Sequence, residues 1–154
     1  MVLIDNTVLS NFVKVRRLNL LKKAFDLIYI TEQVLEEFRL GVEREVLPEV
    51  SIDFDVLRLG DEEMELYNAL RTKLGKGEAS CLAIAKYRNM KVLTDDLDAR
   101  KTANILGVPV SGTIGVLVRC VEKGIATKDE ADKILREMIE RGFYPPISDL
   151  DEII

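Results

Sequence analysis

Apolar residues along this chain fall into two patterns, short continuous runs and longer stretches spaced by three and four residues, and the two patterns alternate. Val2-Leu3-Ile4 reads as a short buried strand, and Asn6 to about Arg17 as a helical segment. Leu18, Leu20, Leu21, Ala24 and Phe25 keep the spacing of a short amphipathic helix over 18–26. Residues 27–30 predict a second strand. Thr31 then caps a helix over 31–41, with Val34, Leu35 and Phe38 inward and Gly41 as its stop. After Pro48, residues 50–59 alternate like a strand and its exit. Residues 61–75 predict a helix with acids in its first turn and bases in its last, as the macrodipole favours. A glycine-led helix follows over 75–90, a strand over 91–94, a loop and helix over 95–107, and a short strand over 108–112. Two helices close the chain over 113–124 and 127–142.

Strands alternating with helices predict an α/β fold of three layers, with a mostly parallel sheet of about four or five short strands flanked by helices. The length of 154 residues suits a single domain over 1–154. No apolar run reaches a membrane-spanning length, and the N-terminus lacks the features of a signal peptide, so a soluble, cytoplasmic protein is expected.

Composition narrows the chemistry. The chain has no histidine, which excludes Ser-His and Cys-His triads, histidine acid-base catalysis and histidine-ligated zinc. Its two cysteines, Cys81 and Cys120, lie among apolar residues and read as small core side chains. A net charge of -5 argues against a protein that holds duplex DNA by broad charge neutralisation.

Acidic residues remain as the candidate chemistry. Asp5 closes the first strand, and Asp95 and Asp96 follow the strand over 91–94. Glu37 lies on the helix entered from the second strand, and Glu78 opens the helix that leads to the 91–94 strand. Singly, each has an ordinary explanation: Asp5 a helix cap, Glu37 a solvated face, Glu78 the macrodipole, Asp95 and Asp96 a turn. In an open parallel sheet the functional crevice lies outside the carboxyl ends of the strands, where strand order reverses. Four carboxylates converging there would repel one another, and a hard divalent cation with oxygen ligands relieves that repulsion.

The pieces LIDNTVL, VLEEF, GEASCLAIA and VLTDD, in this order, resemble the PIN-domain ribonucleases, in particular the branch similar to VapC toxins of toxin–antitoxin pairs. The continuation from Asp96 to Leu135, with its Gly112-Thr113 turn, is similar to one prokaryotic PIN branch, so the likeness spans almost the whole chain. It implies metal-ligating, catalytic acids at Asp5, Glu37, Glu78 and Asp96, with Glu36 and Asp95 as the neighbours that compete for two of those places. Glu78 stands where relatives often carry Asp. Asn6, Thr7, Thr94, Asp95 and Asp98 would support the ligands. The implied activity is endonucleolytic cleavage of single-stranded RNA with Mg²⁺ or Mn²⁺ and an activated water. The implied partners are that RNA, a protein antitoxin and a second copy of the chain in a homodimer.

Among basic side chains, Lys14, Arg16, Arg17, Lys76, Arg100 and Lys101 are candidates for flanking phosphates, Arg100 and Lys101 foremost because they follow the acidic loop within about one helical turn. Two other readings compete. One is a catalytically silent PIN-fold binding or regulatory module with a structural cation site. The other is a phosphoacceptor, either a receiver or a haloacid-dehalogenase-like phosphatase. The Asp-x-Asp pattern of that phosphatase fails at Thr7, and a receiver leaves Glu37 and the last two helices without a role.

Overall fold

The computed structural model describes residues 1–145. Its strands are β1 (Val2–Ile4), β2 (Ile28–Thr31), β3 (Asp55–Leu57), β4 (Lys91–Leu93) and β5 (Val110–Ser111). They form one all-parallel sheet in the order β3-β2-β1-β4-β5. Around it lie α1 (Asn6–Lys14), α2 (Leu18–Ala24), α3 (Glu32–Glu43), α4 (Asp61–Leu70), α5 (Lys76–Arg88), α6 (Leu97–Leu106), α7 (Thr113–Glu122) and α8 (Lys128–Glu140). This order is not the 2-1-3-4-5 arrangement of receiver-type folds, which removes that alternative.

From β1 the chain builds β2 and β3 on one side, then crosses to add β4 and β5 on the other, so strand order reverses between β1 and β4. Connections leave these two strands in opposite directions, which opens a crevice at their carboxyl ends. Ile4 pairs with Leu93, so Asp5 and Thr94 are the next residues outward on neighbouring strands. The Asp5 amide extends the ladder by donating to the Leu93 carbonyl at 2.9 Å.

All three residues of β1 are buried, as a central strand covered on both faces requires. Residues 79–85 of α5 are buried without interruption, and a helix apolar all round belongs inside the protein. α5 packs on β1, β2 and β4, with α3, α4 and α6 against it, while α7 packs on α2 and α8. Cys81 and Cys120 are both buried and free, consistent with their reading as core residues. No helix among the described residues is long and apolar enough to cross a membrane.

Several element boundaries differ from the sequence expectation. α3 runs through Gly41 to Glu43, and Gly41 serves close packing: a Cβ there would lie 2.7 Å from Leu47 Cδ1. The helix instead closes at Glu45, a residue of positive φ. The alternation over 50–59 yields only the three-residue β3, a short edge strand with an exposed Val56. α1 ends at Lys14, short of Arg17, and α4 ends at Leu70, leaving Arg71 and Lys73 beyond the last turn where bases were expected.

One buried hydrogen-bond chain sets α3 against α5. The Val34 amide donates to Thr31 Oγ1 at 3.1 Å, and Ser80 Oγ donates to the Gly77 carbonyl at 2.7 Å. Thr31 and Ser80 hydroxyls meet at 2.7 Å; because the Ser80 proton is committed to Gly77, Thr31 is the donor between them. Thr31→Val removes a cap and a buried bond together, and should lower unfolding free energy by about 1–2 kcal/mol in chemical denaturation.

Candidate functional site

The Asp5 side chain, at 1% exposure, is a carboxylate withdrawn from water. Such burial is costly unless hydrogen bonds replace hydration. Asp5 Oδ1 accepts from the Asn6 amide at 2.8 Å, and Oδ2 accepts from Thr7 Oγ1 at 3.0 Å and Thr94 Oγ1 at 2.8 Å. Thr7 Oγ1 in turn accepts from the Asp95 amide at 3.0 Å, and Thr94 Oγ1 from the Asp96 amide at 3.2 Å. Each hydroxyl has a single proton, so both relays run one way, from backbone amide through hydroxyl to carboxylate. Burial still dominates and, aided by the negative charge of Glu78, raises the Asp5 pKa from 3.8 to about 7 against the pull of these hydrogen bonds. Asp5 is thus the N-cap of α1 and, at the same time, lies in the field of a second carboxylate.

Glu78 is the hub of that field. Partial burial raises its pKa first, and the charges of Glu37 and Asp96 add to the effect, while Arg71 opposes it. The stretch Gly75-Lys76-Gly77-Glu78 that starts α5 is built around these side chains. A Cβ on Gly75 would come within 2.7 Å of Glu78 Oε2, and one on Gly77 within 2.8 Å of Glu37 Oε2. Both glycines make room for carboxylates. Glu37 Oε1 accepts from the Gly77 amide at 3.0 Å, which ties α3 to the N-terminus of α5. Its neighbour Glu36 is exposed and has no such contact.

Asp95 and Asp96 have separate environments. Asp95 Oδ1 accepts from the Thr113 amide at 2.9 Å, and Oδ2 accepts from Thr113 Oγ1 at 2.5 Å and Asn11 Nδ2 at 3.4 Å. Asn11 Nδ2 also donates to Thr113 Oγ1 at 3.0 Å. Asp95 therefore clamps the β4 exit to α7 and α1. A Cβ on Gly112 would overlap Asp95 Oδ1, so the glycine before Thr113 is required by this clamp. Asp96 Oδ2 caps α6 by accepting from the Ala99 amide at 2.8 Å, and the charge of Asp96 reaches Glu78.

The other nominated residues divide. Asn6 Oδ1 is buried beside Asp5 with no hydrogen-bond partner. Arg100 is half-buried and donates to the Thr94 carbonyl at 3.2 Å, whereas Lys101 and Asp98 are exposed. Asn11 and Arg71 escaped sequence reasoning, and Thr113 entered it only as part of the Gly112-Thr113 turn. Asn11 follows Thr7 by four residues, one turn along α1, and that spacing was the available signal. Arg71 carries no local signal for the contact it makes.

The donor set is entirely oxygen, which suits a hard divalent cation. The space that Gly75 and Gly77 leave for Glu78 and Glu37, and the orphan acceptor on Asn6, fit such an ion or its waters. Burial and the surrounding carboxylates push the Cys81 thiol well up, so it remains neutral and contributes no thiolate. Among the described residues no group of three acidic or cysteine side chains is closed tightly enough to hold an ion as it stands.

The family model DUF3368, described as PIN domain, matches residues 1–154. No curated protein matches the chain. The fold is similar to that in the crystal structure of FitAcB from Neisseria gonorrhoeae, with a TM-score of 0.53 and 18% identity over 72% of this chain and 96% of the other. It is also similar to VapBC2 from Rickettsia felis bound to a DNA fragment from their promoter, with a TM-score of 0.54 and 15% identity over 73% and 98% of the two chains.

Because folding raises the Asp5 pKa, the resulting stabilisation is fully present below the unfolded pKa near 3.8 and is lost as pH rises through about 7. Glu78, also raised, acts in the same direction. The metal-free protein should lose stability on the order of a few kcal/mol between pH 4 and pH 8 from these groups. Asp5→Asn should flatten that profile in thermal unfolding at several pH values.

Proposed function

The chain belongs to the PIN-domain family, whose members are generally nucleases that use divalent metals, and we propose that it is an endoribonuclease acting on single-stranded RNA. One observation carries this reading: carboxylates from four separate elements share one electrostatic field at the sheet's switch point, in space cleared by two glycines. Asp5, Glu78 and Asp96 are the proposed ligands, with Glu37 beside them.

Mg²⁺ or Mn²⁺ at that site would activate the attacking water and neutralise the departing oxygen. The protein's own groups orient the rest. Thr7 and Thr94 point their protons at Asp5 and so favour its ionised form, the form a cation requires. Asn6 Oδ1 offers an acceptor to water at the site. Glu37 is held through Oε1 by the Gly77 amide, which fixes its direction toward Glu78. Arg71, whose charge reaches Glu78, and Arg100, which donates to the Thr94 carbonyl, would hold flanking phosphates. Attack of water oxygen on phosphorus, with the 3′ oxygen leaving and taking a proton, gives a 5′-phosphate and a 3′-hydroxyl. No histidine and no 2′-hydroxyl nucleophile is needed.

The same reading extends to partners. The likeness to FitAcB and VapBC2 supports a protein antitoxin as a partner, while a homodimer and a cytoplasmic setting are proposed from the sequence alone. The competing reading, a silent binding module, draws on the absence of a closed three-residue cluster among the described residues.

Purified protein with a mixed single-stranded RNA pool should cut in Mn²⁺ or Mg²⁺ and stop in EDTA. Asp96→Asn should reduce cleavage by about a hundredfold or more, the scale on which loss of a group stabilising the transition state is felt. Glu36→Gln should cut at the wild-type rate. A folded protein that binds Mn²⁺ but cuts nothing would establish the silent module instead.

A further inference from the structure

Beside the acids stands a ridge that the proposed chemistry does not use. A cavity of about 430 Å³ is lined by Thr7, Asn11 and the acids Asp95, Asp96 and Asp98, together with Leu97, Phe143 and Tyr144. A second cavity, of about 700 Å³, shares Leu97, Phe143 and Tyr144 and continues over Arg100, Ile114 and Val118. The ridge between them is unusually apolar for open surface: Tyr144 is 94% exposed and Leu97 is 71% exposed. Isolated exposed apolar residues are ordinary, but an aromatic and an aliphatic side chain together on the shoulder of an acidic crevice call for an occupant. Leu97 is held there by its place in the chain, as the first residue of α6 directly after the cap Asp96.

We propose that the Leu97–Phe143–Tyr144 ridge is a stacking platform for one unpaired nucleobase of the RNA, next to the phosphate held at Asp96. The proposal rests on the nuclease reading and deepens it by naming how the substrate is recognised. Three features select a nucleobase. Its faces are apolar and match an exposed aromatic ring, whereas its sugar-phosphate must meet charge. Countercharge for the phosphates would come from the cation proposed at Asp96, without which Asp95, Asp96 and Asp98 would repel them, and from the Arg100 guanidinium that lines the second cavity. A paired base presents its faces only to its stack, so the platform selects single strands and tolerates any base.

The test compares two fluorescein-labelled probes, an RNA dodecamer of adenylate and a dodecamer of abasic ribose-phosphate, binding in Ca²⁺ by anisotropy. Tyr144→Ala should weaken the adenylate probe about tenfold and leave the abasic probe unchanged, while Tyr144→Phe retains wild-type affinity. In cleavage of the adenylate dodecamer with Mn²⁺, Tyr144→Ala should raise KM with kcat nearly constant, and its melting temperature should match wild type because the ring is solvent-exposed. Equal losses for both probes, or none for either, would overturn the platform. If metal-dependent cutting persists in that case, the nuclease reading stands without it. If the wild type neither binds nor cuts the adenylate RNA, both fall. Loss of self-association in Tyr144→Ala with RNA affinity intact would assign the ridge to a second copy of the chain and overturn the proposal.

Discussion

A carboxylate buried at the end of a central strand sets the terms for the surrounding structure. Asp5 sits where β1 and β4 part, and three donors serve it, the Asn6 amide and the Thr7 and Thr94 hydroxyls. Two threonine hydroxyls, each filled from behind by a backbone amide, turn their protons toward one oxygen. This arrangement needs Thr7 in the first turn of α1 and Thr94 directly beyond β4, so it also needs the β1–β4 register that pairs Ile4 with Leu93. Hydrogen bonds satisfy the geometry of the group without cancelling its desolvation, and a neighbouring negative charge on Glu78 increases the imbalance. The site is electrostatically unfinished in the protein alone. In the function proposed above, a divalent cation would complete it.

Glycines distribute the remaining acids around Asp5. Gly75 and Gly77 each leave a gap that a carboxylate fills, and Gly112 does the same for Asp95. The consequence is a division of labour between adjacent aspartates. Asp95 has both oxygens committed to α7 and α1, where it joins elements far apart in sequence. Asp96 spends one oxygen on the cap of α6 and directs its charge toward Glu78. An acidic pair that looks redundant in sequence thus contains one group that builds the crevice and another that faces it.

Periodicity made most of the fold legible. Three-residue apolar runs and longer amphipathic stretches marked the strands and helices, and their alternation implied the parallel sheet. Where the expectation missed, the cause was tertiary. Gly41 looked like a helix stop, but its lack of a side chain serves Leu47, which the local pattern does not reveal. At the candidate site, the positions of Asp5 and of Thr94 through Asp96 at strand ends were visible. The choice of Glu37 over Glu36 as the side chain that meets Gly77 depends on helix phase, since successive residues point about 100° apart. The links from Asp95 to Thr113 and Asn11 span 18 and 84 residues, and only the one-turn spacing of Asn11 from Thr7 hinted at either.

We propose that Asp5, Glu78 and Asp96 hold one divalent cation at the switch point, and anomalous diffraction from crystals grown with Mn²⁺ would show it. A Mn²⁺ peak bounded by these three carboxylates, with Glu37 beside it, is expected, and that peak should vanish in Glu78→Gln. Mn²⁺ bound elsewhere, or no peak at saturating Mn²⁺ with the carboxylates unmoved, would contradict it.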